Sequence, residues 1–293
     1  MTFQVHEAFV GNICDPRGYD PYLLDGRSED LRLTQSNQPT TAFFDVWDGR
    51  TRASLAPRSF EPDYCNEVRA AFALSDARIS RVDGVPGDEI GATQYGKSPE
   101  DYMRQASEAA GPLQKILGGR DGAFFGLMRD LGRGFRDRGM TFRPLVYDGE
   151  TAPMARLINW SADRSNQRWL LSPHDDLAQT KGYPDWEISK VEQVVAVNVY
   201  FSSRPGSGQL VVSGWQPTDE ERRDRGVERS GYPYDEQEIL HRPHIVLPVA
   251  TGDVAVIDGS YAHGVLIGDG QIADRLIGNF FVGRCGDTAL CWA

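Results

Sequence analysis

The spacing of apolar positions changes character once along the chain, near Gly139. Before that point the period is helical. Phe60, Tyr64, Val68 and Phe72 recur at i, i+4 and predict a helix over 60–74. Ser98 suits an N-cap, Pro99 the first helical position, and Glu100 and Asp101 the positive end of the helix dipole. The helix they open should stop at Gly118-Gly119. A third helix, from about Gly122 to Arg138, carries Phe124, Met128, Leu131 and Phe135 on one face. Such stripes are read as core packing, because a helix needs an apolar face to dock. Residues 1–58 show only scattered strand-like pieces, such as Thr41 to Trp47.

After Gly139 the runs become short, β-branched and punctuated by Gly, Pro and Asp. Strands are expected at Phe142–Tyr147, Ala155–Trp160, Arg168–Ser172, Glu192–Ser202 and Gln209–Ser213, then at His244–Val249, Asp253–Ile257 and Leu276–Val282. Helices first and strands afterwards predict one mostly β domain with flanking helices: a helical and loop layer over 1–139 against a jelly-roll or barrel core over 140–284. One stretch breaks the rhythm. Gln216 to Arg242 is polar and contains the run Asp219-Glu220-Glu221-Arg222-Arg223-Asp224-Arg225. The insertion 216–242 is either a solvated surface excursion or a lid over the barrel mouth, since loops of this length are often functional.

With 293 residues the chain can bury a sizeable core without staples. Its net charge of −11 argues against nucleic acid and against docking on an anionic membrane, both of which want a basic face. No apolar run reaches the roughly 18–20 residues of a membrane span, and Met1 to Asn12 lacks a secretory pattern. A cytoplasmic protein is expected. Cys14, Cys65, Cys285 and Cys291 then read as free thiols, and the spacing of Cys285 and Cys291 is a poor match to known zinc sites. The sequon Asn159-Trp160-Ser161 carries no meaning without a secretory signal.

Of five histidines, two stand where chemistry is expected. His174-Asp175-Asp176 closes a predicted strand, and in extended backbone residues i and i+2 share a face, so His174 and Asp176 can reach one metal ion. His263 follows the run Val254–Ile257. Two imidazoles and one carboxylate leave open positions on a metal, an arrangement suited to iron(II). Arg275 opens the last strand, where an inward guanidinium offers a fixed fork for a carboxylate. His241 and His244 flank Pro243 without a local carboxylate and are read as structural. By strand parity Asn198 shares a face with Tyr200, Asn279 with Arg275, and Arg156 with Trp160. An exposed or paired surface arginine is an equal reading for Arg156.

Over roughly residues 140–284 the order His174-x-Asp176, His263, Arg275 resembles the iron(II)/2-oxoglutarate-dependent dioxygenase superfamily, in particular its small-molecule tailoring hydroxylases. The lead-in Gly252-Asp253-Val254 and the strand–turn–strand Val199-Tyr200-Phe201 with Gly206-Ser207-Gly208-Gln209-Leu210 are similar too. The resemblance implies a double-stranded β-helix core of the jelly-roll, cupin-like kind. It implies iron(II) on His174, Asp176 and His263, 2-oxoglutarate as co-substrate with Arg275 on its far carboxylate, and oxygen as oxidant. It further implies a co-substrate contact from Tyr200; by parity, an inward Asn198 could bond 2-oxoglutarate or a metal ligand, and Arg156 an anionic substrate or the co-substrate's near carboxylate. The expected reaction oxidises an unactivated C–H bond of a small molecule in specialised metabolism, releasing succinate and carbon dioxide. Asp176 stands where halogenases of the superfamily carry glycine or alanine, so hydroxylation is favoured, with desaturation, ring closure and epimerisation open. The rival readings are a cupin-type metal-dependent isomerase, an oxygenase that needs no 2-oxoglutarate, and a non-catalytic ligand-binding β-barrel; a divalent-metal hydrolase is more distant. Oligomeric state and substrate identity are not legible.

Overall fold

The computed structural model describes residues 33–81, 87–162, 168–204, 207–268 and 272–293. Met1 to Asn12, Cys14 and Gly206 lie outside these residues. The described chain runs β1 (Leu33–Gln35), α1 (Pro39–Trp47), β2 (Ala53–Ala56), α2 (Pro62–Ala73), β3 (Ile79–Ser80), β4 (Gly87–Ile90), α3 (Pro99–Ile116) and α4 (Ala123–Arg136). Then follow β5 (Thr141–Pro144), β6 (Val146–Tyr147), β7 (Glu150–Thr151), β8 (Arg156–Ala162), β9 (Trp169–His174), α5 (Asp176–Thr180), β10 (Gln193–Ser202) and β11 (Ser207–Ser213). The series closes with α6 (Asp219–Asp224), α7 (Glu236–Leu240), β12 (His244–Leu247), β13 (Val254–Asp258), β14 (His263–Gly268), β15 (Ile272–Cys285) and β16 (Thr288–Trp292).

The first three helices each begin with proline at the first turn, where the missing N–H would have had no partner. Ser98 caps α3 by accepting the Asp101 N–H at 3.2 Å. The α2, α3 and α4 spans match the sequence expectation. Thr41 to Trp47 does not: it is helix α1, not a strand. Its aromatic run suits β propensity, but Phe43, Phe44 and Trp47 all meet Phe135 of α4 with ring centroids 4.9–5.6 Å apart. Tertiary packing of one helical face outweighs local preference there.

Strands β8 to β15 divide between two antiparallel sheets. The larger sheet has the central order β13-β10-β15-β8 and the smaller one β12-β11-β14-β9. The first half of the chain is not only helix and loop. β2, with parallel β1 beyond it, extends the large sheet past β13, and β4 and β3 extend it past β8. β16 and β5 continue it beside β15. Strand β14, absent from the expected strands, pairs with both β11 and β9.

Both faces of the large sheet are buried, so β10 reads as an almost unbroken apolar run. Val195, Val197, Val199, Leu276 and Phe280 face the helices and pack with Phe72, Phe124 and Leu131. Ala196, Tyr200, Ile257 and Ile277 point the other way and meet Leu210, Val212 and Val265 of the small sheet. The space between the sheets is where the candidate residues converge. The stretch 216–242 is not simply solvated. Its Val227, Tyr234 and Ile239 form a separate apolar cluster with Trp169, Val211 and Trp215. Helix α6 carries a full capping box between Thr218 and Glu221. Among the described residues no helix is long and apolar enough to cross a membrane.

Candidate active site

His174 ends β9 and His263 begins β14, and the two are direct partners in the ladder. That register sets their rings 4.2 Å apart, centroid to centroid. Asp176 arrives by a different route from the one its spacing suggests. Asp175 is extended, with φ −127° and ψ 141°, and serves as N-cap of α5, so Asp176 is the first helical residue rather than part of the strand. The extended backbone at Asp175 still turns its own side chain away from the face shared by its neighbours.

The ligand atoms of His174, Asp176 and His263 lie within 4.8 Å of one another, and all three residues are buried. His174 Nε2 is 3.7 Å from Asp176 Oδ1, and His263 Nε2 is 3.4 Å from Oδ2. Each imidazole donates Nδ1–H to a backbone carbonyl, His174 to Ser172 at 2.9 Å and His263 to Tyr261 at 2.8 Å. Those bonds fix the tautomer and aim both Nε2 lone pairs at the carboxylate, as in metal sites whose ligand rings are held from behind. Burial, then the nearby His263, push the His174 pKa down to about 4, so its ring is neutral. Burial works against the Asp176 charge, but His263 and His174 outweigh it and hold the carboxyl below its ordinary range. Burial opposes the His263 charge, but Asp176 outweighs it and raises that ring's pKa, so a bound cation would displace its proton. Asp176 Oδ2 has no hydrogen-bond partner among the described residues. This donor set fits a divalent metal.

Space for the carboxylate comes from a residue whose role its type does not announce. A side chain at Gly259 would place its Cβ 2.3 Å from Asp176 Oδ2. The Gly259 carbonyl also accepts the Asp176 N–H at 2.7 Å.

Arg275 sits deeper in the same cavity, within β15 rather than at its opening, and is 2% exposed. Its guanidinium lies over the rings of Trp160 at 5.0 Å and Tyr200 at 5.3 Å. Its one hydrogen bond to a described residue is a long one, 3.4 Å, to the Tyr200 hydroxyl. Nε and Nη1 have no partner among the described residues. Burial lowers the pKa of this cation, with Tyr200 opposing. A buried guanidinium with two donors unused has the planar fork that suits a carboxylate. Gly208, at φ +62°, makes room for it: a Cβ there would stand 2.5 Å from Arg275 Cδ.

The other expected residues converge on the cavity as well. Arg156, Asn279 and Asn198 are neighbours across β8, β15 and β10. Arg156 Nε donates to Asn279 Oδ1 at 3.0 Å, and Asn279 Nδ2 donates to Asn198 Oδ1 at 3.1 Å. Arg81, Tyr95, Gln179 and Tyr232 also line the cavity and were not singled out from sequence. Arg81 and Tyr95 lie outside the helices and strands, Gln179 in α5 and Tyr232 in the insertion, so none has a strand parity to reveal it. Tyr232 stands 6.0 Å from His174 and 6.0 Å from Tyr95, ring to ring. His244 lies instead in β12 and bonds the Arg242 carbonyl, and Cys65, Cys285 and Cys291 are free thiols.

No protein-family model matches the chain. It is 28% identical over 241 residues to an L-isoleucine 3(1)-dioxygenase of Pantoea ananatis, covering 78% of each sequence. Among solved structures it resembles an N-substituted L-amino acid dioxygenase from Burkholderia ambifaria, with a TM-score of 0.55, 13% identity and 87% and 91% of the two chains covered. The same enzyme solved with α-ketoglutarate matches with a TM-score of 0.52 at 14% identity, covering 87% and 91%. This likeness, the shared fold and the buried His-Asp-His cluster mark the chain as similar to the iron(II)/2-oxoglutarate-dependent dioxygenases.

Proposed function

We propose that His174, Asp176 and His263 hold iron(II), that Arg275 binds the far carboxylate of 2-oxoglutarate, and that the enzyme hydroxylates a small amino acid. The observation that carries this reading is one cavity containing both the converging Nε2 and carboxylate atoms and a buried arginine with unused donors. The alternation of β8 to β15 between two facing sheets supports a double-stranded β-helix as the scaffold.

Iron(II) with 2-oxoglutarate and oxygen supplies oxidative decarboxylation to succinate and carbon dioxide, and with it the oxidising equivalents for a substrate C–H bond. The chain's part is placement. Arg275 orients the co-substrate by a charge-assisted fork, and Tyr200 and Trp160 wall that end off from water. The Asn198–Asn279 pair keeps the Arg156 guanidinium facing the metal cluster, where its charge is felt by His174 and Asp176. Arg156 and Arg81 give the cavity cations beyond Arg275, so an anionic group on the substrate is favoured. An amino acid carboxylate fits that need, and the likeness to an L-isoleucine dioxygenase supports the class. Leu171, Ile158 and Val265 offer an apolar wall for an aliphatic side chain. Free thiols suit a reducing compartment, in keeping with the cytoplasm.

The test is anaerobic addition of 2-oxoglutarate to the iron(II) protein, followed by oxygen and a panel of L-amino acids headed by isoleucine. A visible charge-transfer band, succinate, and a product heavier by one oxygen atom are expected. A metal-bound protein that yields no succinate would instead point to a cupin-type isomerase or a co-substrate-independent oxygenase.

A further inference from the structure

Next to the metal cluster lies a second buried polar cluster that the proposed reaction does not use. Asp175 is 0% exposed and Arg222, from α6 of the insertion, is 3% exposed. Arg222 donates two bonds to the two Asp175 oxygens, at 3.0 Å and 3.2 Å, and a third to Asp219 at 2.8 Å. The Tyr234 hydroxyl donates to the same carboxylate, and so does the Ala178 N–H at 2.8 Å. Backbone bonds run alongside: Asp175 N–H to Gly231 O at 3.0 Å, and Tyr234 N–H to Pro173 O at 2.8 Å. The stretch 227–234 is thus sewn to the turn between His174 and Asp176, and Tyr232 in its middle is what stands beside the His174 ring.

We propose that Arg222 is a positioning residue: by gripping Asp175 it holds the insertion against the ligand-bearing turn, fixing Tyr232 over the cavity and Asp176 at the metal. This rests on the iron reading given above. A buried ion pair is a poor source of net stability, since apolar residues of equal volume do as well or better. What a bidentate pair supplies is one geometry, and this one is spent a single residue from a ligand. Asp175 also caps α5, so Arg222 is the cleaner position to change.

The experiment compares Arg222→Met and Arg222→Lys with the parent. Two quantities are read on the metal-free and iron(II)-loaded proteins: hydrogen-exchange protection of the metal-free chain, and iron(II) affinity. In Arg222→Met, protection over 227–234 should fall by at least about a hundredfold, as expected when a buried charge loses its partner. The amides of β10 should keep theirs. Iron(II) affinity should drop about ten- to a hundredfold, the usual effect of losing a support behind a ligand. Arg222→Lys, which keeps the charge without the fork, should fall between the two, and it decides alone if Arg222→Met does not fold. Equal loss of protection in β10 and in 227–234 would mean that the pair only stabilises the fold. Unchanged iron affinity despite a loosened 227–234 would also overturn the proposal, as would no change in either quantity. If the parent makes no succinate from 2-oxoglutarate, the functional reading fails on its own, and the exchange data still judge the clamp.

Discussion

At the scale of single residues, the site depends on atoms that have few substitutes. Alanine at His174, Asp176 or His263 should sharply lower iron occupancy, measured by metal analysis of the purified protein, and abolish turnover. Arg275→Ala should act on a different quantity. A co-substrate carboxylate left without its buried partner loses several kcal/mol, so the apparent constant for 2-oxoglutarate should rise at least about a hundredfold. Iron affinity should barely move, and Arg275→Lys should recover part of the loss because an ammonium cannot form the fork. Full 2-oxoglutarate affinity in Arg275→Ala would place the carboxylate elsewhere. Arg284, nine positions on and so of opposite parity, is the control. It is part of β15, and it donates to the Trp47 carbonyl at 2.7 Å on the helix side of the sheet. Gly259→Ala introduces no charge and removes no ligand, yet its Cβ would meet Asp176 Oδ2 at 2.3 Å. Weakened iron binding with intact folding is expected, followed by titration of the metal-free protein. The proposed ligands could be singled out from sequence because histidine and aspartate advertise their chemistry. It was silent on Gly259, whose contribution is the absence of a side chain.

At the scale of elements, legibility followed periodicity. Helices α2, α3 and α4 could be read because each repeats an apolar stripe or carries a cap, and most core strands because they are β-branched and bounded by turn residues. Strand β14 was missed, since His263-Gly264-Val265-Leu266-Ile267-Gly268 is short, carries glycine at its second and last positions and shows no alternation. Helix α1 was misread as extended because what makes it a helix lies in α4. Phe135 is the centre of that packing: it is fully buried and also stacks on Phe142 at 5.3 Å. Phe135→Ala should cost about 3–5 kcal/mol in chemical denaturation, the usual range for a truncated core aromatic. Iron affinity of the folded fraction should be unchanged, because the ring lies on the far side of the large sheet from His174, Asp176 and His263. The insertion looked solvated from its charge run, but Arg222 within that run is buried on Asp175. A charge pair distant in sequence leaves no local signature of burial. The same pair makes Asp175 more than a bystander: it is no ligand by geometry, but its carboxylate receives bonds from Arg222, Tyr234 and Ala178.

For the whole molecule, the two sheets divide the work. The small sheet and α5 bring His174, His263 and Asp176, and the large sheet brings Arg275, Tyr200 and Arg156. A metal and a co-substrate bound together would therefore bridge the layers and favour the folded state alone. Iron(II) with 2-oxoglutarate, each near a hundred times its dissociation constant under anaerobic conditions, should raise unfolding free energy by about 2.7 kcal/mol per independent ligand. Calorimetry with and without the ligands measures this, and an unshifted transition would count against both sites. A different consequence follows from β2. By pairing with β13 along Ala53–Ala56, it occupies a row of backbone donors and acceptors that the eight core strands would leave bare. An uncovered, apolar β13 would be a template for strand addition by a neighbouring chain, the usual beginning of aggregates. The segment ahead of the eight core strands would thus act as a guard for solubility, and shortening the protein to those strands would trade a smaller enzyme for a self-associating one.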